Sequence, residues 1–282
     1  MTIPTYQAKY DKSAFMTPET RLEHRYGDPS EWPSLPDVII LTFQDYLFES
    51  IASRPESEAI DLETNVYSMY TVNRLGVKPR GTRPALPVDV TDEKIGIVGE
   101  FGIGAPTLAI IVEELIALGG DIFCIVGGCA TLQPAVEPGD IVIAETAIRD
   151  EGTSYHYLEA SEPAEASPSL VTELEMAADN CGIPYHTGVT WTTDAFYRET
   201  KAEIEHFATD GVLTVEMEAS ALFAIADIRD VISSAVFAPF DRLTDAQWEW
   251  KPAEKPEERL EDVFSLAVTA GTNLSRSYEA SE

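Results

Sequence analysis

Two carboxylates flank a methionine in TVEMEASALFAI, residues 214 to 225, where an amphipathic, apolar helix is expected to begin. Glu216 and Glu218 stand beside so apolar a run that neither acid reaches water easily, and a buried carboxylate is costly unless hydrogen-bonded. As charged acceptors they could hold the donors of a ligand. As plain helix N-terminal acids they would add about 0.3–1 kcal/mol through the macrodipole. Three further segments carry unusual chemistry. FGIGAP (101–106) offers Gly102 and Gly104, which let a backbone approach a ligand and present amide donors, although a strand-to-helix turn also needs small residues. GGCATLQP (127–134), with Gly128, Cys129 and Ala130, is expected to be a second glycine turn. VTWTTDAFYRET (189–200) sets Thr192, Thr193 and Asp194 ahead of the aromatic pair Phe196 and Tyr197.

The elements that position these residues follow from periodicity. PDVIILTF (36–43), IGIVGE (95–100), DIFCIVGG, DIVIAETAI, HTGVTWTT and VISSAVFA are apolar strand candidates. DYLFESIA, PTLAIIVEELIALGG, KAEIEHFA, MEASALFAIADI and a closing RLEDVFSLAVTAGTNLSRS are helix candidates. The alternation implies an α/β fold, a single domain with a central mixed sheet flanked by helices on both faces. Residues 1–35 are expected to be an N-terminal extension and 36–282 the domain, with surface loops at 159–168 and 251–258. Ligands of such sheets sit beyond the carboxyl ends of the strands, where the segments above fall.

The 282 residues include 49 acids against 19 bases, seven of them lysine, for a formal net charge of −30. Nucleic acid would be repelled. Acids spread along the chain suit a solvating surface adapted to high salt, where screening removes self-repulsion. No apolar run approaches the roughly 20 residues that span a bilayer, and the N-terminus has no apolar signal core, so a cytoplasmic protein without membrane partners is expected. Cys124, Cys129 and Cys181 form no metal-ligand or disulfide pattern; no metal is expected.

Four segments, FGIGAP with its EELIALG helix, LQPAVEPGDIVIAETAIRDEGTSYHY, VTWTTDAFYRET and VEMEASALFAIA, stand in the order and at the spacing of one family. Over about residues 95–245 the chain resembles nucleoside phosphorylases of the uridine and hexameric purine type, related to the methylthioadenosine nucleosidases. The resemblance implies a homo-oligomer, dimer to hexamer, that cleaves the N-glycosidic bond of a nucleoside with phosphate as co-substrate and no other cofactor. Glu218 matches the glutamate that holds the ribose hydroxyls, Met217 packs on the sugar face, and Glu216 supports it in the ribose site. A carboxylate suits this role because it accepts two hydrogen bonds from a cis-diol. Phe196 and Tyr197 match aromatics that wall the base, Phe196 being the better match, and Cys129 and Ala130 are expected to border it. Asp241 in FAPFDRL stands where purine-type enzymes carry the acid that protonates the leaving base, although Phe240 replaces the usual small residue before it.

The match breaks where phosphate would be clamped. Leu47 stands at the position of the arginine that follows the first strand, with Phe43 at the glycine of that turn, and Ile125 replaces the second arginine. Thr200 and Ala202 replace the glutamine and arginine that mark uracil recognition. A phosphate or nucleophile pocket would then draw on Gly102, Gly104, Gly128 and Arg198, with Arg74, Lys78, Arg80 and Arg83 as further cations. A nucleosidase, the alternative, would need a base, for which Gln44 and Asp45 stand after the first strand. A nucleoside-binding protein without catalysis is the third possibility.

Overall fold

Runs of β-branched and aliphatic residues give the central strands two apolar faces, so they must be covered twice. The computed structural model describes residues 6–73, 94–244 and 247–280. In order these form α1 (Pro18–Tyr26), β1 (Val38–Leu41), α2 (Asp45–Ala52), β2 (Ser57–Ile60), β3 (Ser68–Asn73), β4 (Lys94–Gly99), α3 (Ala105–Ala117), β5 (Ile122–Thr131) and β6 (Ile141–Asp150). Then follow β7 (Ala164–Glu165), α4 (Pro168–Cys181), β8 (Tyr185–Thr193), α5 (Lys201–Thr209), β9 (Thr214–Glu216), α6 (Ala219–Arg229), β10 (Ile232–Thr244), β11 (Gln247–Trp250) and α7 (Pro256–Glu279). Arg74, Lys78, Arg80 and Arg83 lie outside the described residues.

The fold is α/β around one mixed sheet. β1 lies parallel between β4 and β5, and all four of its residues are buried. β5 pairs in parallel with β10, β10 antiparallel with β6, β6 in parallel with β8, β8 in parallel with β9, and β9 antiparallel with β5. These pairings close a ring of five strands, from which β1, β4, β3 and β2 extend as an open wing. Two helix groups complete the layers: α3 packs on α6 and α1 on α3, while α2 and α4 pack on α7. α6 is less amphipathic than its sequence suggests, since every residue from Ala219 to Ala226 is buried; a helix apolar all round sits inside the core.

Three sequence expectations change. Gly127 and Gly128 form no turn: β5 runs through them to Thr131, because the paired backbone of Phe237 and Ala238 on β10 holds them extended. β10 passes through FAPFDRL to Thr244 and is followed by an exposed edge strand, β11. β7 lies within the expected loop 159–168 and pairs with β6. In the segment before β1, Leu22 of α1 is in the main core, and Arg21 and Arg25 pair with buried Glu114 of α3. Among the described residues, no helix is long and apolar enough to cross a membrane, and no group of His, Cys, Asp or Glu could hold a metal ion.

Candidate active site

The carboxyl ends of β1, β4 and β9 and the middle of β5 surround a cavity of about 140 Å³, walled by Gln44, Ile103, Gly128, Glu216, Met217 and Glu218 among others. A larger cavity of about 440 Å³ opens at the amino ends of β1 and β4, beside Asp37 and Glu58. Only the smaller one gathers the residues singled out by the sequence, at the end of the sheet where ligands bind.

Its acidic wall is built by the short path from β9 into α6. Glu216, the last residue of β9, is buried and accepts from the backbone N–H groups of Glu218 and Ala219, both at 2.7 Å. Its other oxygen accepts from the Thr192 hydroxyl at 2.5 Å and from Thr190 at 3.4 Å. The two amides are orphan donors of the helix start, satisfied by a carboxylate two residues ahead of the cap position. Burial raises the Glu216 proton affinity, while the four hydrogen bonds hold it down. Glu218 accepts from Gly104 N–H at 2.7 Å and from Met217 N–H at 3.2 Å. Burial first, and then the Glu216 charge, push the Glu218 carboxyl up to about 8. Glu216, with donors on every side, is the ionised partner, and Glu218 the protonated one.

The glycine turn is shaped as expected and occupied from within. Gly104 has φ +102° and heads α3, and Glu100 ahead of the turn also has positive φ, at 56°. Such a backbone is uncommon for a residue with a Cβ. The Gly104 amide that could face an anion donates instead to Glu218. Gly128 faces the cavity beneath Phe240, whose ring atoms lie 2.7 and 2.8 Å from where a Cβ on Gly128 would stand, with Gln44 at 3.4 Å.

The register between β10 and β5 slips between Pro239 and Asp241, so that Asp241 opposes Ala130 and Phe240 is the extra residue. Such a bulge re-aims side chains near a site, and here it lays Phe240 over Gly128. Asp241 takes a hydrogen bond from Trp248 and leaves Oδ1 buried without a partner; burial raises its proton affinity. Its charge acts on Cys129, whose thiol is pushed up by burial and then by Glu216 and Asp241. It also acts on Glu199, which burial, then Asp241, then Glu203 push up to about 7. Sequence reasoning missed Glu199; its only signal was a carboxylate in a loop already suspected of facing the base.

Several expected site residues stand elsewhere. Phe196 and Tyr197 are 50% and 93% exposed and stack edge-on against each other at 4.9 Å, so they are neither core aromatics nor part of the cavity wall. Arg198 is exposed at the end of the same 3-10 turn and is not part of the cavity wall. Asp45 is exposed as the first residue of α2 and also stays out of the wall, where Gln44 stands instead. An acid in a helix's first turn is favoured by the dipole without any ligand. Gly102 is exposed in the turn, outside that wall. Leu47 and Ile125 are wholly buried core residues. Thr200 caps α5 in a reciprocal box with Glu203, which leaves it no free hydroxyl for a base. Among the described residues, the cavity wall contains no basic side chain.

A family model described as the Phosphorylase superfamily matches residues 89–278. The uridine phosphorylase of Thermococcus kodakarensis is 34% identical over 173 residues, 57% of this chain and 60% of that enzyme. The guanosine phosphorylase of Halorubrum lacusprofundi is 33% identical over 178 residues, 61% of this chain and 74% of that enzyme. The uridine phosphorylase of Escherichia coli is 33% identical over 197 residues, 65% of this chain and 77% of that enzyme. The alignment with the Thermococcus enzyme thus spans less than two thirds of its length. Among solved structures, purine nucleoside phosphorylase from Toxoplasma gondii in complex with immucillin-H superposes with a TM-score of 0.71 at 21% identity, covering 87% of this chain and 94% of that one.

Proposed function

The chain belongs to the phosphorylase superfamily, and from that premise we propose that it is a nucleoside phosphorylase, releasing a free base and ribose 1-phosphate. The observation that carries this reading is the placing of Met217 and Glu218 at the cavity wall, opposite the glycine turn after β4. Ribose would lie on Met217 with its cis-diol donating to Glu218, and those two hydrogen bonds would draw Glu218 towards its ionised form. The base would lie towards Cys129, Ala130 and Asp241, with the Phe196–Tyr197 turn at its outer edge.

As the C1′–N bond breaks, its electron pair goes to the base, a base nitrogen takes the Asp241 proton, and a phosphate oxygen bonds to C1′. A raised carboxyl is the form that can donate, and such general acid help is worth about 10²–10⁴ in rate. Burial of Asp241 favours the protonated acid. The capped Thr200 and the missing uracil-reading side chains favour a purine, and a 6-oxopurine nucleoside is the substrate we would try first. We further propose a cytoplasmic homo-oligomer.

One observation favours water as the nucleophile: the described cavity wall holds no cation for a phosphate. Asp45, exposed and apart from that wall, does not supply the base such a hydrolysis needs. The test is base release from a panel of nucleosides in molar salt, with and without phosphate. Phosphate-dependent release with ribose 1-phosphate as the sugar product is expected. Release at full rate without phosphate, giving free ribose, would overturn the phosphorylase reading, and tight nucleoside binding with no release would leave a binding protein.

A further inference from the structure

Glu216 has most of its acceptor capacity taken up within the protein. A carboxylate has about four lone-pair sites, and those of Glu216 face the Glu218 and Ala219 amides, the Thr192 hydroxyl and the Thr190 hydroxyl. The network continues outward. The Thr192 oxygen accepts from Ser220 N–H at 3.0 Å, while the Ser220 hydroxyl donates at 3.0 Å to Glu151, itself buried and bonded to the Thr153 and Ser154 amides. Three successive amides at the start of α6, those of residues 218, 219 and 220, are therefore held by side chains of β8 and β9. A second acid beside Glu218 is more than that capping needs, since serine or threonine caps a helix start about as well.

We infer that Glu216 does not touch the substrate: with Thr192 it is a positioning residue that clamps the start of α6 and presents Glu218 to the cavity. The inference rests on the reading of Glu218 as the sugar ligand. It assigns the two glutamates separate work, the first ionised, buried and spent on the backbone, the second carrying the proton and the ligand. The charged groups that bear on Glu218 are Glu216 from β9 and Asp194 beyond β8, both negative; the donors facing it are the amides of Gly104 and Met217. Among the described residues no cation stands with them, so burial first and then the Glu216 charge set how readily Glu218 gives up its proton.

Three measurements decide the matter. The first is a crystal structure with a nucleoside whose base is joined through carbon and cannot be released. Both sugar hydroxyls should lie within 3.2 Å of Glu218, with Glu216 still on Thr192; a hydroxyl within that distance of Glu216 would overturn the inference. The second is the pH dependence of kcat/KM in Glu216→Gln, where removing the like charge should move the Glu218 midpoint down by about one unit or more. An unmoved midpoint would sink the idea, because a merely structural residue changes stability and leaves a titration in place. The third uses Thr192→Val, which keeps volume and both glutamates and removes the hydroxyl that joins Glu216 to the Ser220 amide. It should lower kcat with little change in KM for the nucleoside, and Thr192→Ser should restore it; a valine variant as active as the parent argues against positioning. If the protein releases no base at all, the reading of the site fails first. The coupling is then still read in the unliganded protein, from the pH titration of the Glu218 carboxyl carbon, assigned with Glu218→Gln and compared with and without the Glu216 charge.

Discussion

Glu218 is buried among negative groups with two amides for company, a placement that favours the neutral acid and opposes the charge that a sugar-binding carboxylate needs. Its folded-state proton affinity, near pH 8, lies above the ordinary glutamate value of 4.5. Between those values the folded chain binds more protons than the unfolded one, so the contribution of Glu218 is fully present below about pH 4.5 and is lost as pH rises through 8. Glu218→Gln keeps the shape and cannot ionise. Relative to the parent it should gain stability progressively from pH 5 to pH 9, by up to a few kcal/mol, while losing most base release. Thermal unfolding of both proteins at pH 5, 7 and 9 checks this, and parallel curves would refute it. At the other end of the substrate, Asp241→Asn should slow release of a purine by about 10²–10⁴. The same substitution should hardly affect a riboside whose leaving group is nitrophenolate, which departs without a proton. Equal losses on both substrates would remove Asp241 from acid catalysis. Asp241→Asn also takes away a charge that helps hold Glu199 up, so the Glu199 carboxyl should titrate at lower pH in that variant.

Elements place these side chains through small irregularities rather than through their regular parts. The extra residue at Phe240 in β10 is tolerated because Gly128 on β5 leaves room for its ring. A methyl group at Gly128 would meet that ring at 2.7 Å, closer than packed carbon atoms stand. Gly128→Ala should therefore lower both stability, by about 1–3 kcal/mol, and activity, as overpacking does. Adding Phe240→Ala should recover part of both, and no recovery in the double variant would show that the ring is not the obstacle. Much of the fold was legible because strands such as VIIL and IGIV, and helices such as ALFAIADI, are apolar enough to have one possible place. The wing strands β2 and β3 were not: SEAI and SMYTVN carry little apolar periodicity and owe their state to pairing on β4. The glycines of β5 were misread for the same reason, since ladder pairing overrode their local preference. Glu216 and Glu218 at the cavity wall, and Asp241 on β10 outside it, were legible as acids attached to apolar elements. Phe196, Arg198 and Asp45 stand outside the cavity wall, and the sequence could not show this because a loop or a helix start fixes its chain position but not its side-chain direction. Glu199 went unseen because its neighbour Asp241 is 42 positions away and meets it only in the fold.

At the scale of the molecule, 49 acids and 19 bases place a net charge of −30 on one chain. Folding brings these charges together, so their repulsion opposes the compact state, and salt should relieve it. The screening length shortens from about 10 Å at 0.1 M to about 3 Å at 1 M, so the relief should continue well into the molar range. The midpoint of thermal unfolding should rise with potassium chloride by more than with sucrose of equal osmolarity, which stabilises by exclusion from the surface without screening charge; equal stability in dilute buffer would contradict this. The same field acts on the reaction. Phosphate is an anion approaching a strongly negative protein whose described cavity wall carries two glutamates and no base, whereas a neutral nucleoside feels little of that field. In enzymes that draw phosphate in by positive charge, salt weakens the encounter. Here screening should instead ease it: kcat/KM for phosphate should rise between 0.1 and about 2 M salt, and more steeply than kcat/KM for the nucleoside. Each value is to be measured with the other substrate saturating, below the midpoint of unfolding at every salt concentration, so that stability does not enter. A phosphate dependence that falls with salt would mean that positive groups govern the approach after all, and would direct the search for the phosphate site away from the cavity wall described above.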